Sequence, residues 1–136
     1  MVLSSKTVTT LKFLIDLGEK YSSNEFVSLL DVSKRKDISK KFLEQLVPPL
    51  KQNGLVLGNR GNQGGYKLAK APKEITLKEI IEITELNILG KNNSSSQAID
   101  EVLNGLDNAV ENYLTKVTLQ DLIDKEVASY SNSYCI

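Results

Sequence analysis

The sequence lacks the residue types on which most catalytic and metal sites depend. Its 136 residues include no histidine and no tryptophan, and the one cysteine is Cys135, next to the last residue. Without histidine there can be no histidine-dependent catalytic triad. With only one cysteine as well, there can be none of the common zinc sites and no internal disulfide. The glycine-rich stretch at residues 58–65 has neither a phosphate-binding Lys-Ser/Thr pair nor a dinucleotide fingerprint. We therefore predict that the chain is not an enzyme.

Long hydrophobic runs are also missing. No apolar stretch approaches the length of about 18 residues that a membrane-spanning helix requires. Residues 1–10 are polar and mixed, unlike the charged and then apolar pattern of a signal peptide. Hydrophobic residues make up 40% of the chain and charged residues 25%, which is typical of a folded domain with a core. We expect a cytoplasmic protein without membrane association.

The charge is balanced overall but unevenly distributed. Residues 1–31 carry three basic and four acidic side chains, net −1, and residues 71–136 carry five and eleven, net −6. Residues 32–70 between them carry nine basic and two acidic side chains, net +7. A compact basic segment of this kind is typical of polyanion binding. A solvated charged face is the alternative interpretation.

Hydrophobic periodicity predicts three helices and then a β-hairpin in the first 70 residues. The helices cover about residues 4–20, 28–36 and from Ser39 onward. The third is expected to kink or end early at Pro48-Pro49, because proline lacks the backbone N–H. Strands at 55–57 and 66–68 flank a flexible loop at 58–65. This order describes a winged helix-turn-helix, so the predicted fold is mainly α with a small hairpin.

In a winged helix-turn-helix, the start of the third helix enters the major groove of double-stranded DNA. Lysine can reach guanine or phosphate there, glutamine can pair with adenine, and glutamate can accept from cytosine. Serine at the helix N-terminus favours a phosphate. The arginine in the hairpin loop fits a narrow, electronegative minor groove. The candidate DNA contacts are Ser39, Lys40, Lys41, Glu44, Gln45 and Arg60.

The second half of the chain predicts a long helix with a regular apolar seam. We divide the chain into a DNA-binding domain (1–85), a polar linker (86–97) and a C-terminal part (98–136). The seam residues, several of them seven apart, are Ile99, Val102, Leu103, Leu106, Val110, Tyr113 and Val117. Such a seam favours a homodimer, and an ordinary core-facing helix is the alternative. A short helix from Thr118 to Val127 and a polar tail complete the prediction.

Four segments together resemble the Rrf2 family of bacterial transcription regulators. The motifs are Ile38-Ser39-x-x-Phe42-Leu43-Glu44-Gln45-Leu46, Asn53-Gly54-Leu55-Val56, Arg60-Gly61-x-x-Gly64-Gly65-Tyr66-x-Leu68 and Ile75-Thr76-Leu77-x-Glu79-Ile80-Ile81. The resemblance implies a homodimeric repressor whose two winged heads read a palindromic operator. It adds Phe42 to the predicted DNA contacts. A winged-helix module that binds only proteins is the alternative function.

The resemblance also bears on cofactor and partner. Many family members bind an iron–sulfur cluster through three cysteines before the long helix, where this chain has Asn and Ser. One distal cysteine cannot supply the ligands, so we expect no cluster. A cluster-free subset, similar to this chain at residues 43–50 and 118–122, controls cysteine metabolism in complex with cysteine synthase.

The resemblance to this subset extends to the C-terminus. Tyr134, Cys135 and Ile136 would there imitate the C-terminal isoleucine that cysteine synthase binds, provided that the tail is unstructured. A chain end without a role is the alternative. Cys135 could instead serve as a redox switch. However, the sequence has no Lys or Arg after Lys125 to lower the pKa of that thiol.

Overall fold

The computed structural model describes residues 3–61, 64–85, 88, 90 and 92–134. This part of the chain forms six α-helices, one antiparallel hairpin and two short 3-10 turns at Tyr21–Ser23 and Pro72–Glu74. The helices are α1 (Ser5–Glu19), α2 (Leu29–Lys36), α3 (Lys40–Gln52), α4 (Leu77–Thr84), α5 (Gln97–Lys116) and α6 (Leu119–Tyr134). The strands are β1 (Val56–Asn59) and β2 (Gly65–Leu68). The predicted winged helix-turn-helix, mainly α with a small hairpin, is confirmed.

Helices α1 to α4 each begin where the sequence places a hydroxyl side chain. In each case the hydroxyl oxygen accepts a hydrogen bond from the backbone N–H three residues further on, which satisfies a donor that the helix leaves free. The capping residues are Ser4, Ser28, Ser39 and Thr76. These local bonds explain why the starts of α1 to α3 agree with the predicted positions.

The expectation that α3 ends early at Pro48-Pro49 is wrong, because the helix continues to Gln52. Each proline removes one hydrogen bond, to the carbonyl of Glu44 or of Gln45, but its fixed φ is compatible with a helix. Glu44 and Gln45 are exposed, so water can bind their carbonyls. Since the other side of α3 is buried, packing keeps the helix intact across the two prolines.

Two further boundaries differ from the prediction. The hairpin strands reach Asn59 and start again at Gly65, so the loop is shorter than the predicted 58–65. Helix α6 does not end at Val127 but continues to Tyr134, so the predicted polar tail is helical in its described part. Thr118 and Asp121 cap the start of α6 reciprocally, and no Gly or Pro follows that would stop the helix. Cys135 and Ile136 lie outside the described residues.

One hydrophobic core joins the first three helices, the hairpin and α6. Phe13, Leu14 and Leu43 are fully buried there, and so is Leu119 from α6. Helices α1 and α6 meet closely at Gly18 of α1, since a Cβ there would lie 2.5 Å from Ile123 Cδ1 of α6. The core therefore crosses the predicted 86–97 boundary, and α6 packs with the DNA-binding head. None of the described helices is long and apolar enough to span a bilayer.

A partly buried ion pair fixes α2 against α1. Arg35 donates from Nε to Asp16 Oδ1 at 3.0 Å and from Nη2 to Asp16 Oδ2 at 2.8 Å. The Asp16 side chain is only 5% exposed, whereas that of Arg35 is 39% exposed. The hydrogen bonds with Asp16 raise the pKa of the Arg35 guanidinium above its usual value. Arg35 is therefore a structural residue, although the sequence counts it in the basic segment.

Replacing Arg35 with Met should lower the free energy of unfolding by about 2–3 kcal/mol. The substitution leaves the Asp16 carboxylate buried without a partner. Because Arg35 is partly exposed and water screens the pair, the loss of stability is smaller than for a fully buried ion pair. Urea denaturation at matched protein concentration measures the effect. The control is Lys34→Met at the exposed neighbouring position, which should change stability by less than about 0.5 kcal/mol. Equal stability of the two variants would contradict the structural role of Arg35.

Candidate nucleic-acid interface

The turn between α2 and α3 is held by one side-chain and one backbone hydrogen bond between Ser33 and Ile38. The Ser33 hydroxyl donates to the Ile38 carbonyl at 2.5 Å, and the Ile38 N–H donates to the Ser33 carbonyl at 3.2 Å. Asp37 between them takes the left-handed conformation, with φ of +53°. Ile38 packs against the core and Ser39 then starts α3. The three-residue break expected from the sequence is thus a rigid turn that orients α3.

The first turns of α3 carry the predicted major-groove residues, and the structure gives them different surroundings. Lys41 and Gln45 are exposed, and Lys41 has no ion-pair partner among the described residues. Lys40 and Glu44 are exposed too, but they face each other across one helical turn at 3.9 Å. Their mutual attraction at this exposure is weak, so DNA can compete for both groups.

Two of the predicted contacts also have a structural task. The Ser39 hydroxyl accepts the Phe42 N–H at 3.0 Å as the cap of α3. Phe42 is half-buried and packs against the core, so its ring anchors the start of the helix. DNA contacts by Ser39 and Phe42 stay predictions.

The β1–β2 hairpin is the wing of this fold, and a reciprocal pair of backbone hydrogen bonds attaches it to the helix-turn-helix. The Val27 N–H donates to the Tyr66 carbonyl and the Tyr66 N–H donates to the Val27 carbonyl, both at 2.8 Å. Gly65 allows this approach, because a Cβ there would lie 2.3 Å from the Val27 carbonyl oxygen. Gly65 also has φ of +154°, which side chains rarely adopt. The Gly-Gly-Tyr part of the motif therefore fixes the wing in place.

Arg60 lies at the tip of the wing and is exposed. The turn beyond it closes through the Gly64 N–H, which donates to the Gly61 carbonyl at 2.9 Å. A Cβ on Gly64 would lie 2.6 Å from the Asn59 carbonyl oxygen, so this position also needs glycine. No carboxylate in the described part of the chain pairs with Arg60. Its guanidinium is thus presented to solvent, as minor-groove insertion requires.

Ion pairs within the protein occupy several of the cations in the basic segment, residues 32–70, so fewer of them are available to bind DNA. Besides the pair of Arg35, Lys36 lies 3.8 Å from Glu19 and Lys70 lies 3.0 Å from Glu79. Lys67 donates to the Asn24 side chain at 2.7 Å, and its ammonium lies 4.7 Å from the centre of the Phe26 ring. Four basic side chains remain exposed and without an ion pair among the described residues. These are Lys34, Lys41, Lys51 and Arg60. Sequence reasoning missed Lys51, because spacing along α3 does not show that its end meets the wing.

Helix α5 leaves most of its apolar seam in solvent. The exposed fractions are 51% for Ile99, 71% for Val102, 37% for Leu103, 59% for Leu106 and 64% for Tyr113. Val110 and Val117 are half-buried, whereas Leu114 is buried. Near its end α5 is fixed to α4, where Lys78 Nζ lies 2.8 Å from Glu111 Oε1 and the Leu77 N–H donates to the Val117 carbonyl. Within one protomer α5 is therefore not the core-facing helix of the alternative interpretation.

The segment before α5 is held by amide and hydroxyl groups. The Asn92 side-chain amide donates to Asn104 Oδ1 at 3.1 Å and to Asp107 Oδ2 at 2.9 Å, and the Ser94 N–H donates to Asp100 Oδ1. Iron–sulfur clusters are held by several thiolates, which this segment lacks. In the described part of the chain, no three His, Cys, Asp or Glu side chains form a metal-binding group. The residues present do not fit an iron–sulfur cluster.

Three features define a winged helix-turn-helix regulator that binds DNA. These are α3 on its hydrogen-bonded turn, the wing attached at Val27 and the exposed cations on both. Residues 3–125 match the model of the Rrf2 family, described as "Iron-dependent Transcriptional regulator". The chain belongs to the Rrf2 family of transcriptional regulators. The relatives are named as transcriptional regulators, a non-enzymatic role, in agreement with the prediction that the chain is not an enzyme.

Two relatives and one solved structure illustrate the similarity. The transcriptional regulator IscR of Cereibacter sphaeroides is 39% identical, over 93% of this chain and 90% of its own length. The regulator CymR of Bacillus subtilis is 33% identical, over 97% of this chain and 93% of its own. The solved structure of CymR, the global cysteine regulator of B. subtilis, aligns with a TM-score of 0.80 at 31% identity, over 92% of this chain and 98% of that one.

Proposed function

We propose that the protein is a homodimeric, sequence-specific repressor of a palindromic operator. The observation that carries this proposal is the placement of free polar and cationic side chains on both DNA-reading elements of one rigid head. Lys41 and Gln45 are exposed at the start of α3, and Arg60 is exposed at the tip of a wing fixed to the same head. A dimer would present these elements twice, which requires two matching half-sites.

The proposed DNA contact of each side chain on α3 and the wing follows from its hydrogen-bonding groups and charge. In this proposal Gln45 pairs with adenine, Lys41 and Lys40 reach guanine or phosphate, and Glu44 accepts from cytosine in the major groove. Arg60 enters the neighbouring minor groove, whose negative potential is strongest where the groove is narrow. A repressor of this kind blocks transcription by occupying the operator.

Replacing Arg60 with Ala should weaken operator binding at least tenfold at matched salt and remove any preference for a narrow minor groove. The operator is first selected from a random DNA pool with the unaltered protein, and affinities are then measured by fluorescence anisotropy. Lys73→Ala, at an exposed lysine outside the head's reading elements, is the control. Equal affinity of Arg60→Ala and the parent would refute the role of the wing. Failure of the parent to select any sequence would favour the protein-interaction module.

The exposed seam of α5 supports the homodimer. Five apolar side chains of the seam are more than a third exposed in one protomer, an arrangement that soluble proteins cover with a partner surface. A second copy offers the same stripe, and two such helices can bury each other by coiled-coil-like packing. Val102, Leu106 and Tyr113 would lie at the centre of that contact.

Replacing Leu106 with Lys should convert the dimer to monomer at micromolar concentration and abolish cooperative binding to a full palindrome. The substitution places a charge in the proposed apolar contact, where it cannot be hydrated. Asn108→Lys, on another face of α5, adds the same charge and should leave the dimer intact. Sedimentation velocity distinguishes the species. A Leu106→Lys protein that remains dimeric would contradict the seam as the interface.

We further propose that the regulated genes belong to cysteine metabolism, without an iron–sulfur cofactor. The similarity to CymR in sequence and structure supports this proposal, and the lack of thiols before α5 speaks against a cluster. Cysteine synthase is the proposed protein partner, with the chain end at Ile136 as its ligand. Helix α6 extends to Tyr134, so this residue of the predicted ligand is helical and not part of an unstructured end.

Deleting Cys135 and Ile136 should abolish binding to purified cysteine synthase while leaving operator affinity unchanged. The enzyme would recognise the isoleucine side chain together with its carboxylate, whereas the truncated chain ends in a carboxylate on Tyr134 without that side chain. Isothermal titration calorimetry measures the enzyme complex and anisotropy measures the DNA complex. The control is Cys135→Ser, which keeps the terminal isoleucine and should bind as the parent does. Undiminished affinity after the deletion, or no binding by the intact chain, would refute this partner.

A further inference from the structure

A groove runs between α3 and the wing. One stripe of α3, in which residues recur every three or four positions, forms one wall, and Tyr66 of β2 forms the other. The residues of the stripe are Glu44, Val47, Pro48, Lys51 and Gln52. The stripe starts with a predicted base-reading residue and ends at the wing. The groove thus connects the two elements that the proposed function places in different DNA grooves.

Lys51 is the cation of this groove. It is exposed, and none of the described carboxylates lies within ion-pair distance of its ammonium. Lys51 Nζ lies 3.4 Å from the point that a Cβ on Gly58 would occupy. The ammonium therefore lies beside β1, next to a glycine that is two residues before Arg60 in the sequence. At the other end of the stripe, the Glu44 carboxylate has Lys40 as its neighbour. The positive end of the groove therefore lies next to the wing.

The geometry of DNA determines what crosses such a groove. A major groove and its neighbouring minor groove are separated by one sugar–phosphate strand. If α3 occupies the first and Arg60 the second, that strand must pass over the space between α3 and the wing. We infer that Lys51 binds a phosphate of this strand, an inference that rests on the proposed function. It makes Lys51 a positioning contact that sets affinity and salt dependence but reads no base.

Gly58 is consistent with this inference. Its Cβ would lie 3.0 Å from Tyr66 Cε1, and any larger side chain would fill the mouth of the groove beside the ammonium. A glycine at this point lets a backbone phosphate approach the wing closely. Tyr66 is half-buried and its backbone is fixed to Val27, so this wall of the groove is rigid. The site is therefore shaped before DNA arrives.

The test compares Lys51→Gln with the parent on the operator selected from a random pool. Each phosphate contact contributes about 0.9 to the slope of log affinity against log salt, so a dimer that loses two contacts should lose about two from the slope. At the salt concentration of the assay we expect roughly tenfold or greater weakening, and by the same factor on the operator and on single-base variants of it. Lys51→Arg keeps the charge and should retain the parent slope.

Lys125→Gln is the matched control, because it removes the charge of an exposed lysine on α6. Three results would overturn the inference: an unchanged slope in Lys51→Gln, weakening confined to certain base variants, or the same slope loss in Lys125→Gln. Thermal unfolding of each variant verifies that the head is folded, and rescue by Lys51→Arg separates charge from folding. A parent that binds no DNA sequence selectively would refute the proposed function itself, whereas a selective parent with an unchanged Lys51→Gln slope would refute only this inference.

Discussion

The attachment of the wing to the helix-turn-helix is the constraint on which the rest of the interface depends. It consists of two backbone hydrogen bonds between Val27 and Tyr66, made where Gly65 has no side chain to block them. This contact fixes β2, and through the pairing of Gly58 with Tyr66 it also fixes β1. Arg60 then extends from a rigid base. Without this contact the hairpin would be a two-stranded ribbon of marginal stability, and no fixed distance would separate α3 from the wing tip.

The basic residues serve two purposes that their position in the sequence does not distinguish. Arg35 holds α2 to α1 through the buried Asp16, and Lys67 ties the wing to Asn24. The exposed residues Lys41 and Arg60 remain free for a polyanion. A charge pattern along the chain records only how many cations are close in sequence. Which of them bind DNA depends on the carboxylates that the fold brings beside them.

The second half of the chain combines two kinds of packing. Helix α6 buries Leu119 and Ile123 in the head, whereas α5 leaves most of its apolar seam exposed. The segment before α5 is held by hydrogen bonds from Asn92, at the place where the family resemblance would have cysteines. In this chain hydrogen bonds thus hold the segment to α5.

The sequence by itself determined the helix starts, the helix-turn-helix order and the hairpin. These depend on contacts within about four residues, such as the cap that Ser39 forms with Phe42, which a short stretch of sequence specifies completely. It also identified the seam of α5. The sequence did not show that α3 continues unbroken past Pro48, because packing of its buried side keeps that helix intact. It also left the end of α6 open, since no Gly or Pro after Thr118 marks where that helix stops. Only the tertiary structure placed Lys51 beside the wing, since that proximity arises from how α3 and the hairpin pack on a common core.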